Sequence, residues 1–290
     1  MQHVFQKPEF FRHEFNEDEY YARLEFAGGE WLKSFTAIAL EDFPLVKAGD
    51  DVAKTIVDVA LKNGLRLEEG DVIVVAQKIF SKAEGRVVKL GDVTSSPSRK
   101  AEELAGIVGK SAEFVELVLR ETKRVVKASN EILLVEDKRG LICINAGIDK
   151  SNVQGRDSFA LLPEDPDESA EKCRSRIREL TGKNVAVIVC DTYSRPFRRA
   201  QVNFAIGFAG IVPFRDYRGK KDLFGQVLRV KNIAVVDELA ASAELLMGQG
   251  KEARPVVIFK GFADAVAGSK KIGMKELLIS EDEDLFKGAL

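Results

Sequence analysis

Residue types that can bind a ligand or a metal gather at four points of this sequence, each where an apolar run gives way to polar residues or glycine. In D-T-Y-S-R-P-F-R-R, Asp191 and Thr192 follow the apolar run 185–190, and Arg195, Arg198 and Arg199 come within eight residues of the acid. A carboxylate beside a hydroxyl can hold a hard divalent cation, and guanidinium forks can hold phosphate. That combination suits metal-nucleotide chemistry; the plainer alternative is a surface ion-pair cluster at a strand end. A second run, 72–76, leads into Q-K-I-F-S-K-A-E-G-R, with Lys78, Lys82 and Arg86 just beyond it. Of these, Lys82 is the cation singled out for chemistry. The loop N-A-G-I-D-K-S-N carries Asn145, Asp149, Ser151 and Asn152. Its spacing is compatible with Asp149 reaching the same metal as Asp191, although a capped turn explains the same letters. Last, Gly248 and Gly250 in M-G-Q-G allow close backbone approach to a ligand, with Gln249 as an oxygen donor.

Composition narrows the chemistry further. The chain has 290 residues, 45% hydrophobic and 31% charged, enough for a large core, and a net charge of -2. Nothing there attracts nucleic acid or an anionic membrane as a partner. No apolar run reaches the roughly eighteen residues of a membrane span, and the N-terminus lacks a signal-peptide core, so a cytoplasmic location is expected. Only His3 and His13 occur, which removes Ser-His-Asp and Cys-His catalysis and His-based zinc sites from the main body. Cys143, Cys173 and Cys190 are scattered and read as small buried hydrophobes. The remaining chemistry must run on carboxylates, Lys, Arg, hydroxyls and metal. Neither G-x-x-x-x-G-K-[ST] nor G-x-G-x-x-G after a strand is present, so a bound nucleotide rests on neither a P-loop nor a Rossmann turn.

These groups must be carried by regular elements, and the patterns predict them. Strands are expected from Ser34 through F-T-A-I-A-L and over 72–76, 185–190, 233–236 and 255–260, with a hairpin joining 132–136 to 141–145. The run 185–190 is rich in Val and Ile, reads as buried on both faces, and is expected to stop at Asp191. Helical spacing covers 52–65 behind the caps Asp50 and Asp51, then 98–110 and 113–127 with Ser98 and Ser111 as caps, then 169–180, and a helix capped by Asp237. Residues 1–34 have a different texture, aromatics alternating with acids, and read as an N-terminal extension of unknown role. Residues 35–290 read as one catalytic unit, with a proline-bounded link at 163–166 and acids supplied from both sides of it. Intertwined subdomains follow.

The strings F-P-L-V-K-A-G-D-D, S-K-A-E-G-R, N-A-G-I-D-K-S-N, D-T-Y-S-R-P-F-R-R, A-I-G-F-A-G, D-Y-R-G-K-K-D-L-F-G and D-E-L-A-A-S-A-E-L-L-M-G-Q-G occur here in the order seen in the coenzyme F420-0:γ-glutamyl ligase family, over roughly 36–261. The chain resembles that family. The resemblance implies an α+β fold of two intertwined mixed α/β subdomains, with no Rossmann or P-loop core, acting as a homodimer. It implies a ligase that joins L-glutamate to a carboxylate acceptor, the deazaflavin coenzyme precursor, using GTP, through an acyl phosphate. Mg²⁺ or Mn²⁺ is the implied cofactor, with a monovalent cation such as K⁺ as a further candidate. Asp149, Asp191 and Thr192, with Gln249, would ligate the metal. Pro44, Leu45, Val46, Lys47, Lys82 and Asn152 would lie along the nucleotide, as would Gln77 and Lys78, where relatives often carry small hydroxyl residues. Lys82, Arg195, Arg198 and Arg199 would neutralise the transferring phosphoryl group. Ser194 and Ala200 stand where the family commonly has Gly. They leave open a folate or other pterin acceptor, and a catalytically idle nucleotide- or pterin-binding paralogue is the alternative from a different class.

Overall fold

The computed structural model describes residues 34–93, 96–262, 272–280 and 283. The N-terminal extension lies outside them except for Ser34. In chain order the elements are β1 (Thr36–Ala39), α1 (Val52–Lys62), β2 (Val72–Ala76), α2 (Gln77–Ala83), β3 (Val87–Lys89), α3 (Arg99–Val108) and α4 (Ala112–Arg120). There follow β4 (Thr122–Ser129), β5 (Ile132–Asp137), β6 (Ile142–Ile144), β7 (Ser158–Ala160), α5 (Pro166–Thr181), β8 (Ala186–Ser194) and β9 (Gln201–Ala209). Last come β10 (Phe214–Asp216), β11 (Asn232–Ala234), α6 (Val235–Met247) and β12 (Val256–Lys260). Helices and mostly antiparallel sheets thus form an α+β fold, as expected, and no helix among the described residues is long and apolar enough to cross a membrane.

The central sheet has the order β1-β12-β2-β8-β9. Its neighbours are antiparallel except β2 and β8, which are parallel. Both faces are covered. Ile73, Val75, Val187 and Val189 pack with Ile56 of α1 and Ala170, Cys173 and Ile177 of α5. Val72, Val74, Ala186, Ile188 and Cys190 pack on the other face against Val236, Leu239, Ala240 and Ala243 of α6. Continuous apolar strands are what such a three-layer arrangement requires. Each fully buried Val or Ile contributes roughly 1.5–3 kcal/mol, so this is the rigid part of the molecule. Gly207 of β9 lets α5 approach: an added Cβ would lie 2.4 Å from the Pro166 carbonyl carbon.

Between α2 and α5 the chain builds a second unit. Helices α3 and α4 and the sheet β4-β5-β6 share their own core of Val115, Val118, Leu133, Val135, Cys143 and Ile148. Buried charges clamp the two units. Arg86, leaving α2, donates from Nη2 to Glu121 Oε2 at 2.6 Å and from Nε to Leu162 O at 3.1 Å. Arg139 reaches the same Glu121 oxygen at 3.4 Å and donates to Asp137 Oδ2 at 2.8 Å.

Several boundaries differ from expectation for long-range reasons. The helix expected over 113–127 ends at Arg120, because Glu121 turns into the ion cluster and Thr122–Ser129 pairs with β5. Helix α5 starts at Pro166 on the Asp165 cap, ahead of the expected Ser169, whose hydroxyl is drawn to Glu84. Asp237 does not cap α6; it accepts the backbone N–H of Ala205 at 3.0 Å. Asp51, Ser98 and Ser111 do cap their helices, each accepting from the third residue on. All three cysteines are buried and free.

Candidate active site

The parallel pair creates the site's geometry. Ala76 lies opposite Cys190, and the chains part immediately afterwards. β2 turns into α2 at Gln77, whereas β8 continues through Asp191, Thr192 and Ser194 paired only with β9. The expected end of the strand at Asp191 is therefore the loss of one neighbour. β9 also accommodates an extra residue, Ile206, between the pairs Val189–Gly207 and Cys190–Ala205, and such a bulge bends and re-aims the strand. The crevice beyond the carboxyl ends of parallel strands is where open α/β sheets hold ligands.

Asp191 stands at that crevice. Burial pushes its carboxyl up to about 7 and the charge of Asp149 adds to the rise, while the Thr192 N–H, Lys78 and Gln77 oppose it. Asp149 arrives from the second unit on a loop held by backbone hydrogen bonds to Ala160 at 3.0 and 2.8 Å. Burial opposes its ionisation, but Lys78 and Ser151 hold its carboxyl below the usual range. Lys78 Nζ lies 2.6 Å from Asp149 Oδ2 and donates to Ser151 Oγ at 2.7 Å. Ser151 donates its N–H and hydroxyl to the same carboxylate at 2.7 and 2.8 Å. One turn along α2, Lys82 Nζ donates to Asn152 O at 2.8 Å, and burial, with the charge of Lys78, pushes its pKa down.

On the α6 side, Thr192 Oγ1 donates to Asn203 Oδ1 at 2.8 Å and accepts from Gln249 Nε2 at 2.8 Å. Gln249 Nε2 also donates to Glu244 Oε1 at 2.6 Å, which leaves its carbonyl oxygen for an incoming group. Gly248 has φ +67° and ψ 179°, a conformation essentially confined to glycine. The turn is tied by Gly250 N–H to Glu252 Oε2 at 2.8 Å and by Asn152 Nδ2 to Gly250 O at 3.1 Å.

Pro44, Leu45, Val46, Lys47, Gln77, Lys78, Lys82, Asn152, Asp191, Thr192, Gly248, Gln249 and Gly250 line one cavity of about 870 Å³. Asp149 touches that lining through Lys78. Arg195, Arg198 and Arg199 are not in the lining. They occupy the turn between β8 and β9, where Arg198 and Arg199 are exposed and Arg195 Nη2 donates to Arg199 O at 3.3 Å.

Two supporting residues carried little signal in the sequence. Asn203, 3% exposed, opens an apolar run and holds Thr192. Glu244, on what reads as an ordinary amphipathic helix, accepts from Gln249 and from the Asn203 N–H at 2.7 Å. A polar side chain at the mouth of a buried strand was the one available clue to Asn203.

The available donors are hard oxygens: the carboxylates of Asp149 and Asp191, the Thr192 hydroxyl and the Gln249 amide. No group of three or more His, Cys, Asp or Glu suited to a metal occurs among the described residues. A cation here would therefore combine two carboxylates with neutral oxygens, waters or substrate oxygens, a set that fits Mg²⁺ or Mn²⁺ and not zinc. Its charge would also relieve the repulsion between the two acids.

Residues 42–261, which contain all of these groups, match the family described as F420-0:gamma-glutamyl ligase. The coenzyme F420:L-glutamate ligase of Archaeoglobus fulgidus is 47% identical over 251 residues, covering 87% of this chain and 96% of that protein. The corresponding ligase of Methanothermobacter thermautotrophicus is 42% identical over 252 residues, 87% of this chain and 98% of that protein. That of Methanocaldococcus jannaschii is 39% identical over 246 residues, 85% and 94% respectively. With the inserted unit and four of the five strands of the central sheet inside the matched span, this chain belongs to the F420-0:gamma-glutamyl ligase family.

Proposed function

We propose that this chain joins L-glutamate by an amide bond to a carboxylate of the coenzyme F420 precursor, with GTP as co-substrate and Mg²⁺ or Mn²⁺ as the metal. One observation carries this reading. Asp149, from the second unit, is ion-paired at 2.6 Å to Lys78, and Lys78 shares a cavity wall with Lys82 and with Asp191 at the carboxyl edge of the parallel pair. An unactivated carboxylate does not form an amide with an amine, so it must first be given a leaving group. In the first step an acceptor carboxylate oxygen bonds to the γ-phosphorus of GTP as the bond to the GDP oxygen breaks. In the second, the glutamate amine bonds to the acyl carbon, inorganic phosphate leaves, and the amine gives up a proton.

A divalent cation held by Asp149, Asp191, Thr192 and Gln249 would neutralise phosphate oxygens. Lys82 adds a positive charge fixed by its bond to Asn152, and the Gly-rich turn presents backbone to the nucleotide. Lys47 and its neighbours 44–46 line the same cavity. Arg195, Arg198 and Arg199, on an exposed turn outside the lining, would steer anionic substrates inward. The protein would act as a homodimer; Leu223, Phe224 and Val230 are 98%, 88% and 79% exposed on the segment joining β10 to β11, an apolar tip that a second copy could cover.

The test is an acceptor panel read by mass spectrometry, with GTP, Mn²⁺ and glutamate. The expected product is the deazaflavin precursor made one glutamate heavier, with release of GDP. Absence of product from both deazaflavin and folate acceptors overturns the ligase reading, and glutamylation of folate alone moves the acceptor to a pterin. Nucleotide hydrolysis without either co-substrate indicates a phosphohydrolase. Full turnover by Asp191→Ala overturns the site assignment.

A further inference from the structure

We propose that Gln77 is a positioning residue for Asp191: its side-chain amide, aimed by Ser81, donates to the Asp191 carboxylate when that carboxylate holds the cation. This inference rests on the metal reading above. Gln77 is 1% exposed and Ser81 is fully buried. Within α2 the Ser81 hydroxyl donates to Gln77 Oε1 at 2.6 Å, one helical turn away. The carbonyl end of the amide is thereby committed, and Nε2 is left buried with no partner. A buried amide with an unused donor is costly, so such a group is retained where something arrives to meet it.

Its position says what arrives. Gln77 and Asp191 are the residues that immediately follow the paired Ala76 and Cys190 on adjacent parallel strands, and both line the same cavity. No hydrogen bond from the amide has closed across that edge. The reversed amide would turn its oxygen toward a carboxylate, an electrostatic clash, so the donor end is the one that faces Asp191. When one Asp191 oxygen binds a cation, the other needs a donor to fix the plane of the carboxylate. Such outer partners orient metal-binding carboxylates, and their loss typically weakens metal binding by about 10–100-fold.

The experiment titrates the full-length protein with Mn²⁺ alone, without nucleotide, reading free Mn²⁺ by electron paramagnetic resonance. Gln77→Leu should weaken Mn²⁺ binding by roughly 10–100-fold while the melting temperature of the metal-free protein stays near wild type. Ser81→Ala retains the amide but frees it to rotate, and should weaken binding by a smaller factor, about 3–10-fold. If Gln77→Leu does not fold, Ser81→Ala decides the matter. Mn²⁺ affinity within about twofold of wild type in these variants, with Asp191→Asn abolishing binding, overturns the role of Gln77 and leaves the metal site standing. Unchanged affinity in Asp191→Asn removes the metal reading and this inference with it.

Discussion

Glu121 offers a direct test of how the two units are held in register. Its carboxylate, 9% exposed, is shared by Arg86, 23% exposed, and Arg139, 11% exposed. Replacing it with Ala leaves two largely buried guanidinium groups without their common acceptor. Removing one partner of a buried ion pair costs about 3–5 kcal/mol, but here Arg139 keeps Asp137 and Arg86 keeps the Leu162 carbonyl, which brings the expected loss to about 2–3 kcal/mol. With a urea slope of about 3 kcal/mol per M for a protein of this size, the midpoint should fall by roughly 0.7–1 M. A double-mutant cycle with Arg86→Met should return a coupling energy of about 1–3 kcal/mol. Because Arg86 follows the helix bearing Lys78 and Lys82, and Glu121 belongs to the unit bearing Asp149, Glu121→Ala should also lower turnover. A midpoint shift worth under about 0.5 kcal/mol, the range of ordinary surface substitutions, would refute the clamp.

Two further outcomes follow from local geometry. Burial raises the pKa of Asp237, partly offset by the bond from the Ala205 N–H; the folded protein therefore holds a proton that the unfolded chain has already lost, and this contribution to stability declines as pH rises from the usual carboxylate range through the folded value. Asp237→Asn, which keeps an acceptor for Ala205, should raise the melting temperature at neutral pH and lose that advantage in acid; a pH-independent difference contradicts the assignment. Gly248→Ala should cost about 1–3 kcal/mol from its backbone conformation, and its Cβ would meet the Glu252 carboxyl carbon at 2.5 Å. Calorimetry should show the loss, steady-state kinetics should show a raised nucleotide KM, and wild-type values in both would contradict the role of this turn.

Much of the site was legible because its residues stand at the ends of strongly patterned runs. The continuous apolar stretches 72–76 and 185–190 mark strands covered on both sides, so the polar residues after them must emerge at a rim. Caps at Asp51, Ser98 and Ser111 were equally local, each a side chain bonding three residues ahead. The scarcity of histidine restricted the chemistry before any coordinate was known. These inferences depend only on neighbours along the chain.

Tertiary structure decided the rest, because partners distant in sequence compete with local preference. Residues 122–127 fall in the stretch with helical spacing, yet Thr122–Ser129 pairs with β5, and Glu121 is claimed by Arg86 and Arg139. Parallel pairing of β2 with β8 placed Gln77 beside Asp191, and folding of the inserted unit brought Asp149 onto Lys78. Asn203 and Glu244 became supports for Thr192 and Gln249 only when β9 and α6 packed together. Which residues can do chemistry is a property of side-chain types and nearest neighbours; which of them share a site depends on burying two cores and pairing their buried charges, a choice that no local pattern records.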